Sequence, residues 1–170
     1  MNQVWRATGV IRPLLRRADL WHAGAMRKAA RTSLSAREVK AIRDSFVKAT
    51  AKPGEVSERF YQRLFVLDPS VRGLFHGDMR EQGRKLVDTL NVIVASIGDL
   101  ERLLPSVRDL GTRHAHYGVK EHHYATVGKA LLWALAQSVG QSFGKPARVA
   151  WQKAYRILAD EMIRAAKVGA

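Results

Sequence analysis

Apolar residues recur every three or four positions along almost the whole chain between Ser33 and Lys167. This spacing places them on one face of an α-helix, as at Val56, Phe60 and Leu64. No segment alternates apolar and polar residues over the length of a strand, so no β-sheet is predicted. The pattern therefore predicts an all-α fold of about seven to eight helices.

Residues typical of helix ends divide this pattern into segments. Ser35 and Glu38 form a capping box, which predicts the start of the first helix, and Pro53-Gly54 predicts its end. Asp68 and Asp78 are N-caps for two later helices. The long helices that follow are predicted from 78 to about 98, from about 100 to 117, from 121 to 139 and from 147 to 167.

The sequence contains no cysteine. This excludes disulfides, thiolate zinc sites, iron–sulfur clusters and haem attached through thioethers. A metal must therefore be held by histidine, by carboxylate or within a cofactor. No apolar run approaches the roughly 18 residues that span a bilayer, and we expect a cytoplasmic protein.

The N-terminal segment differs from the rest of the chain in charge. Residues 1–31 contribute +6 to a net charge of +14. We divide the chain into a basic extension, 1–32, and a helical domain, 33–170. The extension is interpreted as a short amphipathic helix that docks on a membrane or a protein, as an organelle-targeting segment, or as a disordered tail. The basic body is interpreted as a solvated surface, and no nucleic-acid partner is expected.

The segment RHAHYGVKEHHY, residues 113–124, contains the histidines His114, His116, His122 and His123. A zinc site on one helix needs ligands three or four positions apart, so that they share a face. These pairs are one or two positions apart, and no cysteine or suitably spaced acid completes a tetrahedron. We therefore expect His116, His122 and His123 to be solvated.

His114 has a different setting. It follows Val107 by seven positions and Leu110 by four, so it shares the apolar face of its helix. Taken alone, such a histidine is either a core residue or a ligand.

Five stretches of the sequence, in this order, resemble bacterial globins. The resemblance is to single-domain globins and to the haem domain of flavohaemoglobins, and it extends over roughly 135 residues. The stretches are FYQRLFVLDPSVRGLF (60–75), QGRKLVDTLNVIVASIGDL (82–100), LLPSVRDLGTRH (103–114), HYATVGKALL (123–132) and AWQKAYRILA (150–159). The resemblance implies a globin fold around a haem pocket, with haem b as cofactor.

The resemblance also implies residues that hold the haem. His114 matches the proximal histidine, which binds the iron, and Tyr124 matches a tyrosine ten residues beyond it. Phe75 matches the phenylalanine that packs on the haem plane. Separately, Arg113 or Arg84 is a candidate partner of a haem propionate.

On the distal side, the resemblance assigns the residues that face a bound gas. Tyr61 and Gln82 match the distal tyrosine and glutamine, and Leu86 matches the apolar residue over the iron. Gln82 and Leu86 are four positions apart, which places them on one face of a helix. Without the resemblance, Tyr61 would be interpreted as a packing residue and Gln82 as an exposed one.

The chain departs from the flavohaemoglobin pattern in two respects. Those proteins have a glutamate beside the proximal histidine late in the last helix. Here that position falls near Val168, and the nearest acid is Glu161. Flavohaemoglobins also have a reductase domain after the globin, whereas this sequence ends at Ala170, so we expect an external reductase.

The resemblance implies a globin that binds oxygen at a five-coordinate haem iron. With an external reductase, it would also convert nitric oxide and oxygen to nitrate. Three alternatives stay open: oxygen storage or transport, a gas sensor that signals through the extension, and a helical binding module without haem.

Overall fold

The computed structural model describes residues 33–52 and 54–168, and the basic extension lies outside this part of the chain. The described residues form six α-helices and two 3₁₀ segments, with no strand among them, which confirms the predicted all-α class. The α-helices are α1 Ala36–Ala49, α2 Glu55–Leu67, α3 Met79–Ser96, α4 Leu100–His116, α5 Glu121–Val139 and α6 Lys145–Val168. The 3₁₀ segments are Pro69–Leu74, after α2, and Gly140–Ser142, after α5.

Most predicted helix ends are confirmed. The Ser35 amide donates to a carboxylate oxygen of Glu38 over 2.7 Å, and the Glu38 amide donates back to the Ser35 hydroxyl over 3.3 Å. Asp68 and Asp78 cap the first 3₁₀ segment and α3. Pro105 lies in the second turn of α4 without ending it. The last helix begins at Lys145, two residues before the predicted start.

All six α-helices contribute to the core, which includes α1, α2, α5 and α6. Ile42, Leu64 and Leu135 are fully buried there. Trp151 of α6 packs against α1, and its indole N–H donates to the Ser45 hydroxyl over 2.9 Å. This polar pair is satisfied because the Ser45 hydroxyl in turn donates to a backbone carbonyl of α1.

Two glycines permit unusually close helix contacts with α6. A side chain on Gly111 of α4 would meet the backbone of Met162 at 2.5 Å. A side chain on Gly128 of α5 would meet the Tyr155 ring at the same distance. The positions of α4 and α5 against α6 therefore depend on the absence of a side chain at these two sites.

The prediction that His122 and His123 are solvated is wrong in part. Both are in the first turn of α5, and only His122 is exposed. His123 is buried, and its ring nitrogen Nδ1 accepts a hydrogen bond from the Lys120 amide over 3.0 Å. The ring satisfies a backbone amide that would otherwise lack a partner at the helix start.

Among residues 33–52 and 54–168, every helix is too short or too polar to span a bilayer.

Candidate functional site

His114 lies in the last turn of α4 and is half-buried. Its ring nitrogen Nδ1 is 2.9 Å from the carbonyl oxygen of Leu110, one turn earlier. A carbonyl only accepts, so Nδ1 carries the proton and donates. In the neutral ring the lone pair is then on Nε2. Burial, the largest effect, lowers the pKa of His114, which favours this neutral form at neutral pH.

This arrangement meets the requirement for a haem ligand. An imidazole coordinates iron through one nitrogen and donates from the other to a backbone carbonyl or carboxylate, which fixes its tautomer and orientation. His114 has such a carbonyl partner in Leu110. The residues therefore fit a haem group bound through Nε2.

Two contacts with α6 hold the helix that carries His114. Gly111, one turn before His114, lies against the Met162 backbone. Two turns earlier, Arg108 pairs with Glu161 of α6 at 2.5 Å. Glu161 also pairs with Arg164 and is only 8% exposed. Burial opposes its ionisation, but hydrogen bonds from both arginines lower its pKa, so it is a carboxylate at neutral pH.

Tyr61 lies on α2, and burial raises its pKa to about 12. Its hydroxyl is therefore protonated at neutral pH and can donate. That hydroxyl donates to the backbone carbonyl of Gln82 on α3 over 3.3 Å, which is long for a hydrogen bond between oxygens. The Phe75 ring lies edge-on to the Tyr61 ring at 5.3 Å between centroids. The structure thus brings Tyr61, Phe75 and Gln82 into contact.

Gln82 and Leu86 lie one turn apart on α3, and both are half-buried. The side-chain amide of Gln82 donates to the His76 carbonyl in the preceding turn over 3.2 Å. Behind them, Gly83 faces Ser57 of α2, and a side chain on Gly83 would meet the serine hydroxyl at 2.9 Å. This close crossing of α2 and α3 positions Tyr61 beside Gln82.

The two remaining predicted site residues lie on either side of the α4–α5 turn. Tyr124 is buried on α5, and burial raises its pKa. Its backbone carbonyl accepts a hydrogen bond from the Tyr155 hydroxyl over 2.6 Å. Arg113 is exposed, and its side chain bonds the Asp109 carbonyl at 3.4 Å. The side chain of Arg113 is long, exposed and positively charged, and Arg113 directly precedes His114 in the sequence. It is therefore suited to bind a negatively charged group at the edge of the predicted haem pocket.

The contacts that hold α4 were not predicted from the sequence. Gly111 lies in the stretch LLPSVRDLGTRH, and a glycine inside a helical pattern signals close packing. Glu161 is distinguished in the sequence only as the acid nearest to the position of the flavohaemoglobin glutamate. Its pairing with Arg108 joins residues 53 positions apart, and no local spacing predicts it.

Comparison with known proteins matches residues 58–162 to the family described as Globin. A flavohemoprotein of Bacillus cereus is 32% identical over 135 residues, which are 76% of this chain and 33% of that protein. A flavohemoprotein of Halalkalibacterium halodurans is 31% identical over 140 residues, 80% of this chain and 34% of that protein. The chain therefore spans about a third of the length of these relatives.

Two solved structures align with this chain over almost their whole length. A bacterial globin from Campylobacter jejuni aligns with a TM-score of 0.68 and 25% identity, over 79% of this chain and 97% of that one. An engineered carbene transferase from Rhodothermus marinus, described as a candidate nitric oxide dioxygenase, aligns with a TM-score of 0.71 and 26% identity. That alignment covers 80% of this chain and 95% of that one.

Proposed function

We propose a gas-binding function for this chain on the premise of its family. The chain belongs to the globin family and is a haem globin. Its specific role, in our proposal, is to bind oxygen at a five-coordinate haem b iron held by His114. Reduced by an external protein, it would convert nitric oxide and oxygen to nitrate.

The observation that carries this proposal is the combination of burial with the hydrogen bond from His114 to the Leu110 carbonyl. The bond places the proton on Nδ1 and directs the lone pair of Nε2 away from the helix backbone, while burial lowers the pKa and favours the neutral ring. His116 makes an equivalent bond to the Thr112 carbonyl, but its ring is exposed.

When bound, haem would supply an iron that binds diatomic gases and exchanges electrons. The protein would hold this iron through the His114 nitrogen and would offer the polar groups of Tyr61 and Gln82 to the gas.

Tyr61 is the proposed donor to the bound gas. It has one proton, which it shares with the Gln82 carbonyl over a long 3.3 Å contact. A weak bond of this kind is readily exchanged for a shorter one to a gas that carries negative charge. Gln82 is the second proposed donor: one N–H of its side-chain amide donates to the His76 carbonyl, and the amide has a second N–H for the gas.

The proximal side favours gas binding over peroxidase-like chemistry. A carboxylate beside the proximal histidine would increase the electron density on the iron. Val168, where that carboxylate was expected, is 89% exposed. Glu161 is engaged by Arg108 and Arg164, so the proposed partner of His114 is a neutral carbonyl.

Absorption spectroscopy tests the haem ligand. The purified protein, supplied with hemin, should show an intense Soret band. His114→Ala should abolish or strongly shift the band. His116→Ala, at an exposed histidine two positions further along the same helix, should leave it unchanged. A Soret band that is unchanged in His114→Ala would assign the ligand to another residue.

Gas kinetics separates dioxygenation from oxygen storage. Slow oxygen release together with fast nitric oxide consumption under a chemical reductant supports dioxygenation. Rapid and reversible oxygen release without nitric oxide consumption supports storage or transport. Relatives named flavohemoprotein and the Rhodothermus marinus structure favour the first outcome.

The domain division at residue 33 and a docking role for the extension also stay proposals. A gas sensor that signals through the extension needs a target that recognises residues 1–32. Full-length protein should bind anionic liposomes more tightly than a chain beginning at Ser33, because the extension carries +6. Equal binding would remove the membrane version of this role.

A further inference from the structure

Asp68, His122 and His123 converge in the structure, and none of them is a residue assigned to haem. Asp68 lies where α2 passes into the first 3₁₀ segment, and the two histidines lie in the first turn of α5. One ligand atom of each residue lies within 4.8 Å of the others. The expectation that adjacent histidines diverge and lack an acid is therefore wrong at this site.

Several oxygen and nitrogen atoms of this cluster that could bind a metal form no hydrogen bond with a described residue. Oδ1 of Asp68 accepts from the Ser70 amide and hydroxyl, over 3.1 and 2.5 Å. No described residue donates to its other oxygen, and the His122 side chain forms no hydrogen bond with a described residue. The His123 ring accepts from the Lys120 amide through Nδ1. The other ring nitrogen, Nε2, takes no part in that bond.

We propose that Asp68, His122 and His123 form a binding site for a divalent transition metal of the zinc class. Two imidazoles and one carboxylate suit zinc, copper or nickel, whereas magnesium and calcium prefer oxygen ligands throughout. Three protein ligands leave a fourth position for water. Tetrahedral zinc would bring the ligand atoms to about 3.3 Å from one another. The exposed His122 ring can rotate to close most of that difference.

Metal binding at this site is coupled to a proton and to the start of α5. A neutral His123 ring that accepts at Nδ1 carries its proton on Nε2. The metal must therefore displace that proton or replace the Lys120 amide as the partner of the ring. Binding weakens as the pH falls, because protons compete for both histidines. The titratable groups that face His123 are Asp68, His122 and Lys120. Of these three, only Asp68 favours a positive charge at this position.

The bound metal would link two elements that carry predicted haem-site residues. Asp68 ends the helix of Tyr61, and His123 precedes Tyr124 on α5. A metal here would resist separation of the end of α2 from the start of α5. The expected result is a metal-dependent gain in stability.

Calorimetric titration of the full-length protein with Zn²⁺ tests the site. We expect one zinc ion per chain, and at least a tenfold loss of affinity in His122→Ala, which removes a ligand without disturbing the helix cap. Asp68→Asn, which keeps an oxygen for the Ser70 amide, should weaken binding to a similar degree. His116→Ala is the matched control and should bind zinc as the wild type does.

Two further measurements identify the mode of binding. Titration in buffers of different ionisation enthalpy should show proton release, and Zn²⁺ should raise the Tm of the wild type but not of His122→Ala. Unchanged zinc affinity in His122→Ala, or an equal loss in His116→Ala, would overturn the proposal by assigning the metal to other histidines.

Discussion

The two sides of the predicted haem pocket are built in different ways. On the proximal side, α4 touches the α6 backbone at Gly111, and Arg108 pairs with Glu161. On the distal side, Tyr61 and Gln82 are held by a 3.3 Å bond and by a side-chain bond to a turn. Two helices whose backbones are in contact can shift only slightly relative to each other. Polar side chains held by long hydrogen bonds, in contrast, can exchange one hydrogen-bond partner for another.

This difference separates two tasks. The predicted iron ligand has to stay in place while gases come and go, and the predicted donors have to form new hydrogen bonds with each gas. His114 therefore lies on the rigid side and Tyr61 on the adjustable side. Changes on the proximal side should alter stability most, and changes on the distal side should alter gas kinetics.

Gly111→Ala should have the largest effect. Helix propensity alone would make alanine more stable by about 1 kcal/mol. The added methyl group, however, would lie 2.5 Å from the Met162 backbone. Overpacking of this severity should lower the free energy of unfolding by about 3 kcal/mol, as measured by urea denaturation.

Gly73→Ala is the matched control for this substitution, since a side chain at Gly73 would have no neighbour within 4 Å. It should change the free energy of unfolding by less than about 0.5 kcal/mol. Increased stability in Gly111→Ala would show that α4 can move away from α6, and the rigid proximal side would be disproved.

Tyr61→Phe should act on kinetics. Removing a hydrogen bond to a charged partner costs about 1.5–3 kcal/mol, so oxygen should dissociate about 10–100 times faster. Stopped-flow oxygen displacement measures this rate. Tyr117→Phe, which removes a hydroxyl from a tyrosine that is 66% exposed, is the control. Equal dissociation rates in Tyr61→Phe and the wild type would remove Tyr61 as the donor.

Glu161→Gln should weaken the link between α4 and α6. The carboxylate is buried, but Arg108 and Arg164 are 55% and 62% exposed, so solvent screens both pairs. We expect a loss of about 1 kcal/mol in the free energy of unfolding. Glu81→Gln, which breaks the fully exposed pair with Lys85, should have almost no effect. Equal losses in the two variants would show that burial of Glu161 is irrelevant.

Acidification should give the smallest effect. Burial, the largest cause, lowers the pKa of His114 and of His123 below the usual value of about 6.5. As the pH falls, the unfolded chain binds protons at these histidines before the folded chain does. The free energy of unfolding is therefore at its full value above about pH 6.5 and decreases below it. Urea denaturation of the haem-free protein between about pH 7 and pH 5 measures the slope.

His123→Gln should flatten this slope, because glutamine does not titrate and can still accept from the Lys120 amide. His116→Ala should leave the slope unchanged. A slope that is the same in wild type and His123→Gln would show that protonation of this ring is not linked to unfolding.

Local features of the chain were predictable. The capping box at Ser35 and the caps at Asp68 and Asp78 act within a few residues, so their sequence patterns determine their geometry. The helical period was sufficient to predict the all-α class. The position of His114 on a half-buried face also followed from this period.

Long-range contacts were not predictable from spacing. The Arg108–Glu161 pair and the cluster of Asp68 with His123 each join segments more than 50 residues apart. The buried state of His123 was missed because its sequence surroundings are polar, although its ring completes a helix start. Such partners depend on how helices cross, and one amphipathic pattern is compatible with several crossings.

The partner of His114 is a backbone carbonyl, and this has a consequence for inheritance. No single substitution at position 110 can delete that oxygen, since every amino acid supplies the same group. The tautomer of the histidine is thus protected from point mutation as long as the last turn of α4 exists. A lineage that required a more basic ligand would have to add a new carboxylate rather than exchange an old partner.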